Sequence, residues 1–409
     1  YGKHYTIHWP HEEHDSARGV RRSPLYSLLK EKGAVFGAKY GWERANWFAP
    51  EGVRLKDDLT FERPNWFEHV AAEHKAARQK VVLIDQSSFC KFEVEGSGAL
   101  SFLNRLCANQ IDRPVGKVIY TQMCNDRGTI ECDMTVARLA KNKFLVVVGT
   151  AFGLRAGWWI KNHMPADRSV MMKDVTSTYA VITVAGPNSR ALLDHAVDID
   201  LGSESFPYGE CRDLTVGYAP AIALRISYVG ELGYELYIPA EFAGHVYETL
   251  WESGQELGIR NAGYRAINST HLEKGYADWG SELTPEYSPY DAGLGFCVAL
   301  EKEDFIGKTA LAKIKSEGPK WSLCSFTVDS PEPLMLQGSA PIVYGGRVVG
   351  VTTSSGYGHT VGKNICYAYI PAELTDRDGF ELESYKTVYP VQREPHRALY
   401  DPGRKKLLA

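Results

Sequence analysis

The chain has 409 residues, a formal net charge of −4 at neutral pH and a pI near 6.3, with 44% hydrophobic and 23% charged residues. That charge argues against a basic nucleic-acid footprint, and no run approaches the roughly 18–20 apolar residues of a membrane-spanning helix. The length exceeds one typical domain, so two or three units with sizeable cores are expected of an intracellular enzyme.

Residues Tyr1–Pro64 are rich in aromatic side chains and turn formers. They read as an irregular collar with one short helix near Ser23–Lys32, Ser23 acting as N-cap and Pro24 as first helical residue. His4, His8, His11 and His14 have spacings that suit one helix face and invite a metal reading. Pro10 breaks such a helix, so hydrogen-bonded or solvated histidines are expected and no metal is assigned. Trp66–Lys80 reads as an amphipathic helix leading into a short apolar strand, Val81–Asp85, and a strand–turn–helix follows at Phe92–Leu106. Its Gly96-Ser97-Gly98 lacks the third glycine of a dinucleotide-binding loop, because position 101 is Ser, and no P-loop appears.

Tyr120–Leu139 is the most informative stretch. Asn125-Asp126-Arg127-Gly128 is turn chemistry. Beyond it the residues alternate as in a strand: Ile130, Cys132, Met134 and Val136 take one face, and Glu131, Asp133 and Thr135 the other. On the residues alone this is either an ordinary half-solvated strand or the polar lining of a cavity. A strand at Lys143–Val148, a helix near Phe152–His163 and a strand–helix unit at Tyr179–Ala196 come next. Ala221–Ser227 and Glu235–Ile238 read as strands around a glycine turn, and Glu241–Leu257 and Arg265–Gly275 as helices. From about Trp321 the pattern changes to short strands with glycine turns, as in Pro341–Gly350, which signals a barrel or sandwich. The mixture of antiparallel strands and helices predicts an α+β class. Eight scattered cysteines without a Cys-x-x-Cys give no support to zinc or thioredoxin chemistry, and buried, reduced thiols are expected.

Several motifs resemble the aminomethyltransferase (T-protein) of the glycine cleavage system and its relatives. Tyr120, Asn125, Gly128 and Asp133 fall on that family's tyrosine, N-x-x-G turn and acidic strand. Ser227–Pro239 (SYVGELGYELYIP) resembles its G-E-x-G-[YFW]-E segment, Gly263–Leu283 its helix ending in L-E-x-G, Asp304–Lys308 its D-F-I-G-[KR], and Gly350–Gly358 the G-x-x-T-S-x-G-[YF] of its C-terminal barrel. Arg21–Pro50 and the Ala398–Pro402 tail are similar to dimethylglycine and sarcosine dehydrogenases, in which a flavin-bearing half joins a folate-binding half.

The resemblance implies a clover-leaf fold of three units around a tetrahydrofolate site. The corresponding divisions are 1–64 as collar, 65–315 as folate-binding domain and 316–409 as C-terminal β-barrel. It also implies that FAD is held by a half or subunit outside this chain. Captured by folate, an iminium carbon or formaldehyde from a methylated amine becomes 5,10-methylenetetrahydrofolate, and the attacking nitrogen must lose a proton. Asp133 is the candidate acceptor. Glu235 falls where the family binds the pterin edge, with Glu231 the weaker candidate on the turn. Tyr120, Tyr228 and Tyr234 are candidate ring walls, and Arg265 and Arg225 candidate partners for carboxylates. In Thr270–Gly275 the chain departs from the family's L-R-L-E-x-G, and His271 replaces the arginine. Two further readings compete with this one: a stand-alone folate-dependent methyl- or aminomethyltransferase, and a non-catalytic protein similar to the regulatory subunit of pyruvate dehydrogenase phosphatase. Bacterial cytoplasm and mitochondrial matrix both suit the reduced thiols.

Overall fold

The computed structural model describes all residues except Tyr1, Pro331 and Gln337, with the side chains of Lys3 and His4 outside the described set. The alternation around Asp133 sits in an antiparallel five-stranded sheet, in the order Val118–Cys124, Ile130–Ala140, Lys143–Val148, Cys90–Glu95, Met171–Asp174. Cys132, Met134 and Val136 point into its core with Leu103, Phe144 and Ile160, because successive strand residues face opposite ways. A second sheet has the order Cys211–Val216, Ala219–Leu224, Gly233–Pro239, Tyr179–Ala185, Val82–Asp85, Arg260–Asn261, and only its last pair is parallel. The two sheets meet edge to edge through main-chain bonds from Val118 N to Gly209 O (2.8 Å) and Cys211 N to Gly116 O (2.7 Å). Residues from about Trp321 onward form a closed six-stranded barrel.

The helix Tyr264–Lys274 joins these units. It ends at Gly275 in the left-handed region (φ 73°), where a Cβ would come within 2.7 Å of the Ala398 nitrogen, so both conformation and space require glycine. The barrel's Tyr367 hydroxyl donates to Leu272 O at 2.5 Å. Beneath, helix Phe67–Gln79 supplies Arg78, which donates to Val229 O (2.6 Å), Glu231 (3.3 Å), Thr270 O (3.1 Å) and Glu273 (3.1 Å). The other oxygen of Glu273 accepts from the barrel N–H groups of Thr360 (2.6 Å) and Val361 (3.1 Å). This buried carboxylate therefore ties two helices, the glycine turn and the barrel together.

The collar is more regular than its composition suggests. Ala34–Lys39 and Trp42–Phe48 form a hairpin whose turn residues, Tyr40 (φ 51°) and Gly41 (φ 80°), are both left-handed, as a two-residue hairpin turn demands. The short helix spans Tyr26–Glu31, beginning later than the Ser-Pro signal implied, because the Ser23 hydroxyl donates to Asp85 while accepting from the Leu25 N–H. The His8 and His14 rings lie edge-on at 5.5 Å and His11 packs on Trp66, whereas the side chain of His4 is outside the described residues. Among the described residues no group of His, Cys, Asp and Glu is arranged to hold a metal ion, and no helix is long and apolar enough to cross a membrane. The Gly96–Gly98 loop packs on Ser169, whose carbonyl a Cβ at Gly96 would meet at 2.2 Å. Close packing is what these glycines serve.

Candidate functional site

Asp133 stands on the face of its strand that turns away from the core. Its Oδ1 accepts from Gln122 Nε2 at 2.8 Å, and Tyr120 supplies a second hydrogen bond. Burial pushes its carboxyl up to about 6 against those two bonds, and the nearby Asp278 adds to the rise. Asp133, Tyr120 and Tyr228 are each partly exposed, and burial raises the pKa of all three. Tyr228 stacks on His271 (5.4 Å between centroids) and on Tyr276 (5.7 Å). Tyr208 is the ring over which Arg404 lies, at 5.5 Å.

Glu235 lies in the strand Gly233–Pro239, its Oε2 accepting from the Tyr237 hydroxyl at 2.8 Å. Burial pushes it up to about 7, while Tyr237 and the buried Lys91 pull the other way. Both acids titrate close to neutral pH, where each can serve as acceptor or proton carrier.

The other expected residues are placed elsewhere. Glu231 points below the glycine turn, held by Arg78 and by the Tyr400 hydroxyl. Tyr234 faces the opposite side of its strand, fully buried, with its hydroxyl on Leu201 O at 3.3 Å. Arg225 is spent on main-chain carbonyls, those of Phe206 and Ala409 at 2.5 Å each. Arg265 lies over the Trp66 ring at 4.2 Å and makes a two-pronged pair with Asp57, which also accepts from Trp47 Nε1 at 2.7 Å. It fastens the collar to the helix. Each has a partner within the protein. His271 has its Nδ1 3.3 Å from Tyr276 O and its ring stacked on Tyr228.

Sequence reasoning missed Gln122, Tyr208, Tyr276 and Asp278. Gln122 is the cross-strand partner of Asp133, but a bulge between Met123 and Cys124 shifts the register by one, so counting back from the turn gives the wrong pair. The remaining three lie in irregular segments without periodicity.

Comparison with known proteins puts these elements in context. The GCVT N-terminal domain family matches residues 25–302, and the glycine cleavage T-protein C-terminal barrel domain family matches 322–401. A 4-methylaminobutanoate oxidase (formaldehyde-forming) of Paenarthrobacter nicotinovorans is 38% identical over 99% of the chain and 49% of its own length. The mitochondrial dimethylglycine dehydrogenase of Mus musculus is 36% identical over 100% of the chain and 47% of its own length, so the chain spans about half of these two relatives. An aminomethyltransferase of Halothermothrix orenii is 32% identical over 86% of the chain and 92% of its own length. The crystal structure of the aminomethyltransferase T from Bartonella henselae superposes with a TM-score of 0.80 at 22% identity, covering 94% of this chain and 99% of that one. The α+β fold with its C-terminal barrel is thus the aminomethyltransferase fold.

Proposed function

The chain belongs to the glycine cleavage T-protein family, and from that premise we propose that it is the tetrahydrofolate-binding part of a flavin-dependent N-demethylating enzyme of dimethylglycine or sarcosine type. In this reading a flavin-bearing half outside these residues oxidises a methylated amine, and this chain captures the iminium carbon or formaldehyde as 5,10-methylenetetrahydrofolate. Residues 65–315 then carry the folate site, 316–409 the barrel, and 1–64 the collar next to the flavin half. The reduced thiols suit bacterial cytoplasm or mitochondrial matrix.

The observation that carries the proposal is Asp133, partly exposed and oriented by Gln122 on the strand that follows the Asn125–Gly128 turn, with Glu235 held by Tyr237 in the second sheet. Two acceptors raised by burial to about 6 and about 7, with Tyr120 beside the first, fit an aromatic ring bearing amino and N–H donors. Tetrahydrofolate, when bound, supplies the nucleophilic nitrogen. Asp133 takes the proton which that nitrogen releases, with Gln122 and Tyr120 fixing the orientation of its carboxylate. Glu235 accepts from the pterin edge, and Tyr228 and Tyr120 exclude water on either side. A second reading, a stand-alone folate-dependent transferase, is favoured by the match to nearly the whole of an aminomethyltransferase.

Because Asp133 is raised to about 6, it is competent as a base above that pH and loses competence as pH falls below it. The protein's acceleration of the condensation of formaldehyde with tetrahydrofolate, measured over the uncatalysed reaction, should fall about ten-fold per pH unit below about pH 6. An acceleration that stays level down to about pH 4.5 contradicts the assignment.

A further inference from the structure

One buried charge lies outside the one-carbon step as described so far. Lys302 is 4% exposed and sits in a turn closed by its own N–H on Ala299 O at 3.2 Å. Among the described residues it makes no ion pair. Its ammonium donates to Cys107 O at 2.6 Å and to Asn109 O at 3.0 Å, and it lies 4.7 Å from the centre of the Phe305 ring. The carbonyl between those two, Ala108 O, accepts from Ala299 N at 2.9 Å. Three successive carbonyls beyond the helix Ala99–Leu106 are therefore all taken by the 299–302 turn. An ammonium has three donors and serves two of these carbonyls at once, whereas an aliphatic side chain would leave both unpaired at a cost in stability.

The same short segment grips the strand Val118–Cys124 on its other side. Ala108 N donates to Gln122 O at 2.8 Å, Asn109 N to Thr121 Oγ1 at 3.0 Å, and Asn109 Nδ2 to Tyr120 O at 2.9 Å. Gln122 and Tyr120 are the two residues that hydrogen-bond the Asp133 carboxylate. A continuous set of hydrogen bonds thus runs from the Lys302 ammonium to the acid.

We propose that Lys302 and Asn109 are positioning residues for Asp133: the ammonium anchors residues 107–109, and these fix the strand segment from which Asp133 is held. Burial lowers Lys302 to about 8 against the pull of Cys107, Glu301 and Asp304, and Lys308 adds to the fall, so the ammonium is present at neutral pH. The titratable groups that act on Asp133, or on which it acts, are Tyr120, Tyr228, Cys132, Cys297 and Asp278, and of these Tyr120 alone is bonded to Asn109.

Bonds from Gln122 and Tyr120 favour the charged carboxylate, so loosening them should raise its titration. In Lys302→Met the acid limb of the formaldehyde–tetrahydrofolate rate should move up by about one pH unit, the worth of one charge-assisted hydrogen bond. Asn109→Ala loses only the bond to Tyr120 O and leaves the buried ammonium in place, and the limb should move up by about half a unit. Tetrahydrofolate affinity should stay within about two-fold in both, which general damage to the fold would not allow. The inference rests on the proposed function for the rate alone. Without folate, the Asp133 carboxyl can be followed as the carboxylate NMR signal that is absent from Asp133→Asn, and the same two shifts are expected there. A carboxyl that titrates at the wild-type pH in every variant that folds overturns the positioning role. Shifts of that signal in a protein whose wild type gives no acceleration contradict the proposed function and uphold the positioning role.

Discussion

Asp133→Asn should lower the protein's one-carbon transfer rate by about 10²–10⁴, the usual worth of a positioned general base. The amide keeps the size and can still engage Gln122 and Tyr120, so the site should keep its shape while losing the group that accepts the proton. The change should also abolish the fall in acceleration below about pH 6, because no titrating group remains at that position. Single-turnover rates across roughly pH 5–8 on both proteins check the two claims together. A variant that keeps more than about a third of the rate means that another residue takes the proton.

The second large effect concerns stability. Glu273 has no exposure to solvent and meets Arg78 at 3.1 Å, His74 at 3.2 Å and two barrel N–H groups. Burial alone would raise its carboxyl, but His74, Arg78 and the Thr360 N–H together hold it down at about 2. Burial also holds His74 below its usual range, so Arg78 is the counter-charge that matters. Removing one member of such a buried set strands the rest, and Glu273→Ala should cost about 3–5 kcal/mol of unfolding free energy. That is a large share of the roughly 5–15 kcal/mol of a typical fold. The sign with pH follows from the depressed value. The contribution of Glu273 is fully present above its unfolded value near 4.5 and is lost as pH falls through about 2. Urea unfolding of wild type and variant measures the difference, and a loss under about 1 kcal/mol contradicts this role.

What could be read from the sequence was local. The alternation Ile130–Val136 exposed Asp133, because a period of two that follows turn residues is how a strand with one apolar and one polar face reads. Glycine punctuation revealed the barrel and the end of the helix at Gly275. The hairpin was hidden because its turn is Tyr40-Gly41 and lacks the usual Asn-Gly or Asp-Gly signature. The contacts of the arginines were illegible for a different reason. The partner of Arg265 lies 208 residues away at Asp57, and one partner of Arg225 lies 184 residues away at Ala409, and no spacing reports such distant pairs. Glu231 and Glu235 are alike in sequence and differ only in which side of the turn they face, which the fold decides through Arg78 and Tyr237.

Calorimetric titration of tetrahydrofolate into wild type, Asp133→Asn and Glu235→Gln tests the division of labour most directly. The account predicts clear binding by the wild type. Glu235→Gln should weaken it roughly ten-fold or more, as expected for losing a charged acceptor, whereas Asp133→Asn should leave it within about two-fold, because that acid serves chemistry more than recognition. No binding by the folded wild-type protein, or equal weakening by both substitutions, would contradict a folate site in which one acid holds the ring and the other takes the proton.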